Sequence, residues 1–155
     1  MNDIPILKFE LASSNDSQLL TDTAFKSKGK WNYTEEQMAL WTNELTITKS
    51  YIGENKVFKI LDNKNYVGFF ALILKDKFIE IDHFWLLPEN TEKGYGMITF
   101  NFIKRTAQRL NYKILRVYSE PYVNGFYSKM GGKIIHSKES KIKGRFLDIY
   151  EFEIF

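Results

Sequence analysis

Residues 91–97, Thr91-Glu92-Lys93-Gly94-Tyr95-Gly96-Met97, constrain this chain more than any other stretch. The apolar run Ile79 to Leu87 precedes them, ends at Pro88 and reads as a buried strand. Ile98 to Leu110 follows and reads as a helix. A strand, a short loop with two glycines and a helix start together make an anion site from backbone N–H groups. The amides of a first helical turn lack intrahelical partners, and the helix dipole places partial positive charge there. Glycine lets a large phosphate ester approach the backbone with no Cβ in the way. A phosphorylated ligand is the expectation.

With 155 residues, 44% of them apolar and 16% aromatic, the chain is long enough for one domain, 1–155, with a real core. The net charge of +3 comes from cations scattered among acids, which suits an anionic ligand but argues against nucleic acid. There is no cysteine, which excludes disulfides, thiolate catalysis and Cys-based zinc sites and fits a reducing compartment. Met1 to Phe9 has no basic segment followed by a long apolar one, so no secretory leader is expected. No apolar run approaches the roughly 18 to 20 residues that span a bilayer. A cytoplasmic protein without membrane association is the expectation.

Ile4 to Leu11 reads as a first strand. Ser14-Asn15-Asp16 offers N-cap side chains to a helix that Gly29 stops. Thr34-Glu35-Glu36-Gln37 is a capping-box pattern opening a second helix, with Met38, Leu40, Trp41 and Leu45 as its apolar face, and Lys49 to Asn55 adds a short helical turn. Val57 to Leu61, Tyr66 to Leu74 and Phe78 to Leu87 form an antiparallel meander, joined at Asp62-Asn63-Lys64-Asn65 and Lys75-Asp76-Lys77. After the glycine loop and its helix come a strand Ile114 to Ser119 and a helix Val123 to Met130 ending at Gly131-Gly132. Strands Lys133 to Ser137 and Phe146 to Phe155 close the chain. The order β-α-α-β-β-β-α-β-α-β-β predicts an α/β (α+β) fold, a mixed sheet flanked by helices.

Two familiar phosphate loops fail on context. No Gly-Lys-Ser or Gly-Lys-Thr is present for a Walker loop. Gly94-Tyr95-Gly96 is followed by Thr99 where a dinucleotide fingerprint has glycine, and the strands before it form a meander. The element order, the glycine loop after the fourth strand and the block Asn124-Gly125-Phe126-Tyr127-Ser128-Lys129-Met130-Gly131-Gly132 instead resemble the GNAT superfamily of acyl-CoA-dependent N-acyltransferases. That family's [Q/R]-x-x-G-x-[G/A] signature is met at Gly94 and Gly96, with Thr91 in place of Gln or Arg. Its Phe-Tyr-x-Lys-x-Gly block is met at Phe126 to Gly131.

The resemblance implies an N-acetyltransferase using acetyl-CoA as the acyl-donor co-substrate. The acceptor would be a primary amine of a small molecule or peptide, in a monomer or homodimer. It implies that the loop from Thr91 and Glu92 through Lys93, Gly94, Tyr95, Gly96 and Met97 holds the pyrophosphate. Phe84, Trp85 and Leu86 would pair with the pantetheine arm as a strand edge pairs with an added strand. Asn124 would lie near the thiol end. Tyr127 matches the family's usual general acid, a phenol that ordinarily ionises near about pH 10 and can protonate a departing thiolate. For the base, the strand supplies Glu80, where many relatives place a glutamate, then Asp82, which could instead bind the cationic amine, and His83. Strict alternation puts Glu80, Asp82, Phe84 and Leu86 on one face and His83 and Trp85 on the other. The alternative reading is a non-catalytic acyl-CoA-binding or regulatory domain of the same fold, for which Thr91 is the support.

No metal site is expected, because His83 and His136 lack ligand spacing with the acids. His136 reads as a structural histidine. Phe25, Trp31, Tyr33 and Trp41 read as core first and as pocket lining second, and the basic loop Lys138 to Arg145 reads as a solvated hairpin.

Overall fold

The computed structural model describes residues 5–154. Seven strands form one mixed sheet: β1 (Leu7–Leu11), β2 (Lys56–Asp62), β3 (Asn65–Leu74), β4 (Ile79–Leu86), β5 (Ile114–Ser119), β6 (Lys133–Glu139) and β7 (Phe146–Glu153), in the spatial order β1-β2-β3-β4-β5-β7-β6. Only β4 and β5 run parallel. The helices are α1 (Ser17–Gly29), α2 (Glu35–Ala39), α3 (Thr42–Leu45), α4 (Lys49–Glu54), α5 (Tyr95–Arg109) and α6 (Asn124–Lys129). This is the mixed sheet with flanking helices that the element order predicts.

The two faces of the sheet bury separate cores. Helices α5 and α6 press Phe100, Ile103, Ala107 and Tyr127 onto Phe70, Leu72, Ile79 and Ile81. Helices α1, α3 and α4 press Leu20, Ala24, Leu45 and Ile52 onto Val57, Phe69 and Ala71 of the opposite face. Strand β3 is therefore covered on both sides, which is why Val67 to Leu72 reads as an unbroken run instead of an alternation. Each fully buried Phe or Leu contributes about 1.5–3 kcal/mol relative to an exposed one.

Several boundaries move. Ser13 caps the first helical segment, its N–H donating to Asp16 Oδ2 at 2.8 Å; Ser14, Asn15 and Asp16 form a 3-10 turn that leads into α1. The second helix is broken after Ala39 and restarts at Thr42, so Leu40 leaves the apolar face and is 45% exposed. The capping box at Thr34 and Gln37 is present as read from the sequence. Helix α5 begins at Tyr95, three residues before Ile98, because Gly94 turns the chain into it at φ 82°. The start of the predicted first strand, Ile4, and Phe155 lie outside the described residues.

Candidate active site

The site begins with a defect in β4. Ala71 of β3 pairs with His83, while its neighbour Leu72 pairs with Ile81, so Asp82 is an extra residue bulged out of the ladder. A bulge reverses the alternation downstream. Phe84 and Leu86 join the α5–α6 core with Ile79 and Ile81, whereas Trp85 packs toward α1. Strict alternation groups Glu80 and Asp82 with Phe84 and Leu86; the bulge corrects this and places Glu80 on the His83–Trp85 side. Beyond the bulge the sheet opens. Strand β4 pairs with β5 only from Ile79 to Ile81, against Leu115 to Val117, and the two then part.

A cavity of about 510 Å³ lies in this split, within the usual range for ligand sites. Its α5–α6 side is formed by Phe84, Leu86, Phe126, Tyr127 and Met130, and by Thr91, Glu92, Gly94, Gly96 and Met97 of the glycine loop. The first intrahelical bond of α5 runs from the Ile98 N–H to the Gly94 carbonyl, at 3.4 Å. The amides of Tyr95, Gly96 and Met97 precede it and have no acceptor within the helix, and Gly94 supplies no capping side chain. A Cβ on Gly96 would meet the Phe126 ring at 3.2 Å, so glycine keeps this wall close to the ring.

The α1 side of the cavity is formed by Ser27, Lys30, Trp31, His83, Trp85 and Glu120. Ser27 Oγ donates to the Leu86 carbonyl at 2.7 Å, which fixes α1 to the open end of β4. Glu120 follows β5 directly and is held by three donors. Lys28 Nζ lies 2.9 Å from Oε2, Arg145 Nη2 lies 2.7 Å from Oε1, and the Tyr33 hydroxyl also donates to Oε1. Burial alone would raise the Glu120 carboxyl, but these partners outweigh it and hold the group below the ordinary carboxylate range. Burial lowers Lys28, with Glu120 opposing the shift.

Tyr127 is 5% exposed, and burial pushes its hydroxyl well above the ordinary phenol value. Its ring lies against Phe126 and Phe152. Asp82 faces the cavity and accepts from the Tyr51 hydroxyl at 2.5 Å. His83 is buried, which lowers its pKa against the pull of Asp82 at 3.7 Å. Glu80 is shifted upward, first by burial and then by the charge of Asp82.

Of the residues singled out in the sequence, the cavity gathers Tyr127, Asp82, Phe84, Trp85, Leu86, Thr91, Glu92, Gly94, Gly96 and Met97. Glu80, Lys93, Tyr95 and Asn124 are not in its lining. The Tyr95 side chain points the other way, donating to Asp62 at 2.5 Å. Asn124 Nδ2 donates to Asp148 at 3.3 Å, and its buried Oδ1 has no partner among the described residues. The aromatic set divides: Trp31 lines the cavity and stacks on Tyr122 at 4.7 Å, Tyr33 binds Glu120, and Trp41 and Phe25 pack in the core. His136 is exposed on β6, not a packed structural residue. The 138–145 loop is not a free hairpin. Arg145 is drawn into the Glu120 cluster, and Lys141 pairs with Glu44 and donates to the Leu40 carbonyl at 3.1 Å. Lys28, Glu120 and Arg145 were not identifiable as partners, since they sit on three elements far apart in the chain.

Three solved structures illustrate what this architecture is similar to. The PaiA N-acetyltransferase of Thermoplasma acidophilum, in complex with coenzyme A, is 20% identical and superposes with a TM-score of 0.72 over 96% of this chain and 99% of that one. A GCN5-related N-acetyltransferase of Rhodopseudomonas palustris is 16% identical, with a TM-score of 0.76 over 98% of this chain and 97% of that one. A GNAT family acetyltransferase of Elizabethkingia anophelis with acetyl-CoA bound is 14% identical, with a TM-score of 0.67 over 99% of this chain and all (100%) of that one. No protein-family model matches the sequence, and no curated protein matches it. At such identities the likeness is one of fold.

Proposed function

We propose that this chain, which has the GNAT acetyltransferase fold, is an acetyl-CoA-dependent N-acetyltransferase acting on a primary amine. The observation that carries the reading is the cavity itself. One opening in the sheet joins helix-start amides that lack an intrahelical acceptor, a free strand edge and a buried phenol.

These features suit acetyl-CoA. The amides of Tyr95, Gly96 and Met97 would hold the pyrophosphate, and the dipole of the 15-residue α5 favours negative charge there. The β4 edge beyond Ile81 offers backbone groups to the amides of the pantetheine arm. Thr91 supplies no long side chain, and its hydroxyl is turned back to the Pro88 carbonyl at 3.0 Å, so the backbone carries the contact. Asn124 Oδ1 is a buried acceptor available to an N–H donor.

The bound thioester supplies an activated acetyl carbon. Asp82 receives a proton as the amine nitrogen forms its bond to that carbon, either directly or through one water. Asp82 takes this part before Glu80 because it faces the cavity. Tyr127 gives its proton to the sulfur as the carbon–sulfur bond breaks, and burial keeps that phenol protonated until it is needed. Each turnover then yields one amide and one thiol, and solvent restores the two protonation states. A screen of amines for acetyl-CoA-dependent thiol release tests the reading; it predicts release that depends on the amine and is slowed in Tyr127→Phe.

A further inference from the structure

The Lys28–Glu120–Arg145 cluster holds two cations around one carboxylate, and its excess positive charge is buried behind the cavity wall. Both Glu120 oxygens are already engaged: Oε1 by Tyr33 and Arg145, Oε2 by Lys28. Glu120 is therefore a poor partner for a second ammonium group. Glu44 is taken by Lys141, and Glu92, the other glutamate of the lining, belongs to the glycine loop on the opposite wall. Lys30 adds another cation on the same side, its Nζ 4.4 Å above the Trp31 ring in the cavity wall. The opposite polarity lies at the bulge, where Asp82 and Glu80 are adjacent. Ile81 and Val117 are level across the sheet and Glu120 is three residues further, so the positive end lies roughly 10 Å from the point where the strands part.

We infer that the acceptor is an amine that also carries a carboxylate, with the amine at Asp82 and the carboxylate at Lys30, the cation that lines the cavity in front of the buried Lys28–Arg145 pair. This rests on the transferase reading above. A diamine or polyamine would set its second ammonium against like charge, and an amide-ended amine would leave the excess positive charge unanswered.

The test is a set of α-amino acids and ω-amino acids of increasing length, each beside its primary amide and the matching diamine. Acetyl transfer is read as kcat/KM. The inference expects at least one carboxylate member to exceed its amide and diamine partners tenfold or more. That ratio should fall severalfold in Lys30→Gln, a half-buried residue outside the ion cluster, and in Arg145→Gln. Ratios near one, or a preference for diamines, overturn it. If no amine is acetylated, the transferase reading fails and ligand binding, followed through Trp31 and Trp85 fluorescence, decides the inference separately. Tighter binding of the carboxylate members upholds it, and equal binding of the amides overturns it.

Discussion

The indole N–H of Trp85 donates to Nδ1 of His83 at 2.9 Å, and this contact decides what the histidine can do. With Nδ1 accepting, the neutral ring carries its proton on Nε2, which lies 3.7 Å from Asp82. Burial keeps the ring neutral, so neither nitrogen has a lone pair free for a substrate proton. That leaves the bulged Asp82 as the carboxylate of β4 that faces the cavity.

Asp82→Asn is expected to lower kcat/KM about 10²-fold at neutral pH. The deficit should shrink as the pH rises toward the amine's own pKa, where the acceptor is already neutral. A pH–rate profile parallel to that of the wild type would remove Asp82 as base.

Tyr127→Phe keeps the ring packing against Phe126 and Phe152 but deletes the proton donor. Turnover should fall about 10²-fold with the acetyl-CoA dissociation constant within about twofold of wild type. Single-turnover acetyl transfer at an unchanged rate would assign Tyr127 to packing alone.

Glu120 and Glu80 should act on stability with opposite signs. Glu120 is held below the ordinary carboxylate range, so its stabilisation is present above that range and is lost as pH falls through its folded-state value. Glu120→Gln strands Lys28 and Arg145 and should cost about 3–5 kcal/mol at pH 7, converging with wild type in acid. Glu80 is held above the range, so its ionised form costs stability at neutral pH and the cost fades on acidification. Urea titrations between pH 3 and about 8 check both; a Glu80→Gln protein less stable than wild type at neutral pH would contradict the second.

Gly96→Ala separates folding from donor binding. The new methyl meets Phe126 at 3.2 Å and narrows the approach to the helix-start amides. Alanine at a helical position otherwise gains about 0.5–1 kcal/mol over glycine. Calorimetry should show acetyl-CoA affinity falling about tenfold while the melting temperature holds or rises slightly. Unchanged affinity would move the phosphate contact elsewhere.

What could be read from the sequence follows the range of the interactions. The glycine loop, the Thr34–Gln37 capping box and the β5 span are set by neighbouring residues, and each is where local chemistry places it. The face assignment along β4 failed at one residue, because a bulge depends on the partner strand and leaves no mark in the strand that bears it. The Glu120 cluster joins α1, the loop before α2, the end of β5 and the last hairpin, so no local spacing encodes it. Splitting the second helix at Leu40 likewise frees Trp41 to turn inward under Lys28, whose Nζ sits 3.8 Å over its ring.

The central claim is chemical transfer of an acetyl group from coenzyme A to an amine in this cavity. The direct measurement incubates the protein with isotopically labelled acetyl-CoA and an acceptor amine, and counts labelled amide and free thiol together by mass spectrometry. The account predicts one amide per thiol, with both dependent on the amine and both suppressed in Tyr127→Phe. Saturable acetyl-CoA binding with no amide formed on any amine would contradict it and leave a binding domain in the enzyme's place.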